Sequence, residues 1–127
     1  DGLAVTVADA EALGGKVLLH RVLDISDFDA VSAFAADIHA AHGSMDLVCN
    51  IAGISAWGTV STLTHQHWKS MIDVNLMGPI HVIETFLPPD GGRAPWRASG
   101  QRVLGGRRRR VAWHAAYSAS KYGLRGA

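Results

Sequence analysis

Cysteine is almost missing from this chain. Cys49 stands alone among 127 residues, which excludes an internal disulfide framework and any cysteine-built zinc site, and agrees with a reducing compartment. Charge is also sparse, at 18% of residues against 48% apolar, with a mean hydropathy of +0.11. That composition excludes a disordered, solvating chain and suits a core-forming domain. No apolar run approaches the roughly 20 residues of a membrane span, and no signal peptide opens the chain, so a cytoplasmic location without membrane contact is expected. The first residue is Asp1 rather than methionine, which raises the expectation of a piece of a longer product.

Acidic residues vanish after position 90. Residues 1–90 hold three Lys/Arg against eleven carboxylates, a net of −8, whereas residues 91–127 hold nine Lys/Arg and no acid, a net of +9. Such asymmetry can mark a nucleic-acid tail. Here the Arg107–Arg110 run has no interleaved aromatics and no DNA-binding motif, so a solvated loop is the expectation and nucleic acid is not an expected partner.

The first ninety residues alternate between helical and strand-like patterns. Ala4–Leu13 is alanine-rich and stops at Gly14-Gly15, as a helix does. Lys16–Leu23 is short and mostly apolar, the pattern of a buried strand that ends at Asp24. Ser26 and Asp27 can cap a helix in which Val31, Phe34, Ala35, Ile38 and Ala41 recur at helical spacing until Gly43. Met45–Asn50 reads as a second strand, and Thr64–Leu87 as a long helix halted by Pro88-Pro89. Strand and helix in alternation predict an α/β fold, a parallel sheet covered by helices. From Pro88 to Val111 neither period holds, and seven arginines crowd the segment. Helical composition resumes at Val111.

Tyr117 and Lys121 stand four apart, on one face of a helix. An ammonium near a phenol favours the phenolate, which makes the pair usable for proton transfer near neutral pH. The pair alone is a weak signal, since an exposed helix carries many such neighbours. Asn50-Ile51-Ala52-Gly53 ends one predicted strand and Asp24-Ile25 ends the other, at the carboxyl edge where open α/β sheets bind ligands. Small residues there let a cofactor approach the backbone, and the Asp24 carboxylate could accept a hydrogen bond from a ligand amine. Asn75 lies inside a long helix, with Gly78 three residues later and apolar neighbours that leave it little solvent-facing room.

These four elements, in this order, resemble the short-chain dehydrogenase/reductase superfamily, most closely over about 16–87 and 111–126. The resemblance implies a doubly wound Rossmann-type sheet and hydride transfer between NAD or NADP and a small alcohol or ketone. It implies Tyr117 as general acid/base, Lys121 as the neighbour that tunes it and holds the nicotinamide ribose, and Asn75 as holder of a relay water. Asp24 and the Ile25 backbone would hold adenine, while Asn50, Ala52 and Gly53 would line the cofactor's ribose side. Intact relatives would be homodimers or homotetramers.

The chain departs from the family pattern in three places. Ile51 stands where the motif has a second asparagine, no glycine-rich pyrophosphate turn is present, and Leu104 falls where the catalytic serine is expected. Ser118 and Ser120 lie on the tyrosine helix itself. A family-like strand Leu-Val-Asn-Val-Ser-Ser-Ala-Ala-Gly, encoded CTG GTC AAC GTG TCC TCG GCG GCC GGG, reads two bases later as Gly-Gln-Arg-Val-Leu-Gly-Gly-Arg. That string is Gly100–Arg107 of this chain. The expected organisation is therefore one incomplete nucleotide-binding domain over 1–127: family-like to 89, an out-of-frame reading over 90–110, and the tyrosine helix over 111–127. A competing expectation is a catalytically inactive fragment or disrupted-gene product of that family. Of the seven histidines, His65 and His67 are two apart and cannot share a helix face, and His39 and His42 lack a singled-out carboxylate, so no metal site is expected. Trp57, Trp68, Trp96 and Trp113 are expected as core or interface aromatics.

Overall fold

A computed structural model describes residues 2–45, 47–86 and 115–126. Helix α1 (Gly2–Ala12) buries no residue. It ends where Gly14 takes a φ of +84°, a left-handed position that costs glycine nothing. The following Gly15 amide returns to the Ala10 carbonyl at 2.9 Å.

Helix α2 (Phe28–His42) starts at Asp27, whose carboxylate accepts the Ala30 amide at 3.1 Å, and stops at Gly43, with φ +74°. Its buried face, Val31 and Ala35, packs toward helix α4 (Gly78–Phe86). Edge-on ring pairs join the two helices: Phe28 with His81 at 5.3 Å and Phe34 with Phe86 at 6.4 Å between centroids.

Helix α3 (His65–Ile72) begins with a reciprocal cap. Thr64 Oγ1 accepts the His67 amide, and His67 Nδ1 accepts the Thr64 amide at 3.0 Å. Between α3 and α4 the chain widens into a π-helical turn over Asp73–Met77. The long helix expected over Thr64–Leu87 is thus two helices joined by that turn. Helix α5 (Ala115–Gly126) closes against α3 and the π turn. Leu63, Met71 and Ala116 form a small core there, flanked by Ala56, Trp68 and Tyr117. Trp57, expected as a core or interface aromatic, is 72% exposed. Trp96 and Trp113 lie outside the described residues.

The two strand expectations are not confirmed among the described residues. Among the described residues, Lys16–Leu23 and Leu47–Asn50 are non-helical and form no strand ladder. Leu18, Val22 and Leu47 are exposed rather than buried. The reason is tertiary: a parallel strand is buried by its neighbours and two covering layers. The arginine-rich segment 90–110 also lies outside the described residues. No described helix is long and apolar enough to cross a membrane.

Candidate functional site

The site is organised around Asn75, in the middle of the π turn. A π turn inserts a residue into the helical register, which turns a side chain inward that regular spacing would place elsewhere. Asn75 is fully buried, at 0% exposure. Its Oδ1 accepts the Ile54 amide at 2.8 Å, and its Nδ2 donates to the Ile54 carbonyl at 2.8 Å and to Ser120 Oγ at 3.4 Å. Both amide hydrogens are therefore used, and the side chain clasps the peptide that follows the Ala52-Gly53 bend. A carboxamide carries an acceptor and a donor side by side, so it can meet a backbone N–H and C=O together.

Ser120 completes this arrangement from α5. It too is fully buried, and its hydroxyl donates to the Tyr117 carbonyl at 2.8 Å, leaving a lone pair for Asn75. The tyrosine turn of α5 is so tied to the π turn. Tyr117 and Lys121 lie one helical turn apart, both half-buried, with Lys121 Nζ 5.6 Å from the phenol ring centre. Gly53 sits at the junction of these groups. A Cβ at that position would lie 3.0 Å from Asn75 Oδ1 and 3.9 Å from Lys121 Nζ, so a larger residue there would press on the Asn75 amide. Gly53, Asn75, Tyr117 and Lys121, four of the residues singled out in the sequence, share one cluster.

Asp24 and Ile25 are held at the other end of the same helical element. Asp24 Oδ1 accepts the Ser26 amide at 2.9 Å and the Ser26 hydroxyl at 2.8 Å, which holds the exposed carboxyl below the usual aspartate range. The Asp27 amide returns to the Asp24 carbonyl at 3.1 Å and closes a tight turn. Ile25 inserts its side chain against Gly78, where a Cβ would stand 2.5 Å from Ile25 Cδ1. Its carbonyl accepts a hydrogen bond from His81 Nδ1 at 3.0 Å. One stretch, Asn75 to His81, thus grips the ends of both predicted strands.

Asn50 and Ala52 take no hydrogen-bonded part in the cluster among the described residues. Sequence reasoning missed Ile54, Ser120 and His81. Ser120 was set aside as a neighbour on the tyrosine helix, although its position three after Tyr117 places it within reach of that carbonyl. His81 follows Gly78 by three, the spacing that puts both on one face. Ile54 acts through its backbone, which leaves no residue-type signal. No group of three metal-binding side chains forms among the described residues.

Two groups in this region have no hydrogen-bond partner among the described residues: the Ile25 N–H and Asp24 Oδ2. They are one donor and one acceptor on adjacent residues, the two kinds of group that an adenine edge requires. The Ala52-Gly53 bend is exposed and has Lys121 beside it. By their chemistry these residues fit an adenine edge and a ribose.

Residues 1–127 match the short chain dehydrogenase family, and the chain belongs to it. An uncharacterized NAD-dependent oxidoreductase of Mycobacterium tuberculosis is 35% identical over 88 residues, covering 69% of this chain and 32% of that protein. Dehydrogenase/reductase SDR family member 7C of Xenopus tropicalis is 31% identical over 125 residues, 96% of this chain and 38% of its own length. A metagenomic short-chain oxidoreductase, crystallised in complex with NADP, superposes with a TM-score of 0.76 at 32% identity. That alignment covers 98% of this chain and 56% of the solved one. The fold is therefore α/β, and the chain spans between a third and just over half the length of these relatives.

Proposed function

We propose that this chain carries the central part of an NAD(P)-dependent oxidoreductase that interconverts a small alcohol and its carbonyl compound. The two non-helical segments would then be strands of a doubly wound sheet. The observation that carries the reading is the convergence of Tyr117, Lys121, Asn75 and Gly53 from three separate stretches of chain. A phenol and an ammonium next to an open glycine bend suit proton exchange with a substrate held over a flat ring.

On this reading Tyr117 gives a proton to the substrate oxygen in reduction and takes it in oxidation. Lys121 sets a positive charge beside the phenol and hydrogen-bonds the nicotinamide ribose. Asn75 fixes the bend through Ile54 and α5 through Ser120, and borders the path by which a relay water would reach Lys121. Asp24 and the Ile25 N–H hold the adenine, and Asn50, Ala52 and Gly53 line the ribose side. The bound nicotinamide supplies or accepts the hydride.

Titration of the full chain with NADH or NADPH, followed by nicotinamide fluorescence, tests the assignment. Saturable binding that weakens in Lys121→Met supports it, and no saturable binding refutes it. A second reading, an inactive product of the same family, is favoured by Leu104 at the serine position and by the coding match over Gly100–Arg107. The coding DNA separates them, because unrelated codons for Arg107–Arg110 in an independently confirmed frame remove the second reading's main support.

A further inference from the structure

We infer that His81 is a positioning residue for the adenine-facing turn, an inference that rests on the cofactor reading above. One peptide plane of that turn is held from both sides. The carbonyl of the Ile25–Ser26 peptide accepts from His81 Nδ1 at 3.0 Å, while the N–H of the same peptide donates to Asp24 Oδ1 at 2.9 Å. Since a carbonyl only accepts, Nδ1 carries the hydrogen, which fixes the ring's tautomer. The imidazole is 8% exposed, so water competes little for that bond.

The ring itself is held in place. Phe28, the first residue of α2, meets it edge-on at 5.3 Å and 72°. Thr85 Oγ1 donates to the His81 carbonyl at 2.8 Å one turn further on. Gly78, one turn before, admits the Ile25 side chain. With that peptide plane fixed, the groups of the turn that keep no partner among the described residues are the Ile25 N–H, in the preceding peptide, and Asp24 Oδ2. Their mutual orientation decides whether both can meet one purine edge. His81 thus acts on the cofactor's adenine half through backbone, without touching it.

The test compares His81→Phe, which keeps the aromatic packing but removes the donor, with His81→Asn, whose Nδ2 can take the place of Nδ1. The probe is AMP, followed by the amide resonances of Ile25, Ser26 and Asp27 in the full chain. In His81→Phe, Ser26 and Asp27 amide exchange should accelerate and the AMP dissociation constant should rise by a factor of about 5 to 10. His81→Asn should recover most of both, and nicotinamide mononucleotide should bind the two variants alike. Unchanged exchange and AMP affinity in His81→Phe overturns the inference, as does equal loss in both variants. Should His81→Phe fail to fold, His81→Gln, which moves the donor outward by one bond, is read against His81→Asn by the same criteria. If the native chain binds no AMP, the cofactor reading fails, and the amide exchange alone still reports whether His81 pins the turn.

Discussion

Replacing Asn75 with alanine should cost more than its position in a helix suggests. Alanine is the better helix former, so propensity alone predicts a gain of several tenths of a kcal/mol. Against that, the change deletes three hydrogen bonds, two to Ile54 and one to Ser120. Each is worth about 0.5–1.5 kcal/mol net. Ile54 is 42% exposed, so its freed backbone groups can rehydrate and belong at the low end of that range. Ser120 is fully buried and belongs higher. With the small void left behind, the loss should be about 2–3 kcal/mol in urea denaturation. Asn75→Asp is the sharper variant: it is isosteric, yet its second oxygen would face the Ile54 carbonyl, an acceptor against an acceptor. It should destabilise at least as much as alanine near neutral pH. A loss under about 0.5 kcal/mol for alanine, or an aspartate variant as stable as the native chain, would refute the clasp.

Gly78→Ala places a methyl 2.5 Å from Ile25 Cδ1 and should destabilise by about 1–3 kcal/mol, with the largest amide shifts at Asp24–Asp27. Denaturant melts with amide mapping check it. For Asp24, the folded carboxyl is held below its ordinary range by Ser26, so its stabilising contribution is complete above pH of about 4 and is lost as pH falls below that. Asp24→Asn should flatten the acid limb of stability in that window, and a pH series of urea midpoints reads it directly.

The ends of α2 were readable because capping is local: Asp27 reaches an amide three residues away, and Gly43 supplies its own positive φ. The Tyr117/Lys121 pair was readable because helical spacing alone places the two together. The π turn was not, since the apolar pattern through Met71, Ile72 and Ile80 runs on as though the helix were regular. Asn75 announced itself as a misplaced polar residue, but its partners Ile54 and Ser120 lie 21 and 45 residues away. His81 and Ile25 are 56 apart, beyond the reach of any local rule. The strand expectation over Lys16–Leu23 finds no ladder partner among the described residues, because the neighbours that bury a strand are set by the whole sheet and not by its own sequence.

The most direct measurement is a nuclear Overhauser experiment on the chain with bound NADH, irradiating the nicotinamide ring protons. Transfer to the Tyr117 ring and to Gly53 is expected, with the adenine protons reporting on Ile25 instead. Transfer to residues away from the Gly53 bend, with Tyr117 and Lys121 silent, would contradict it.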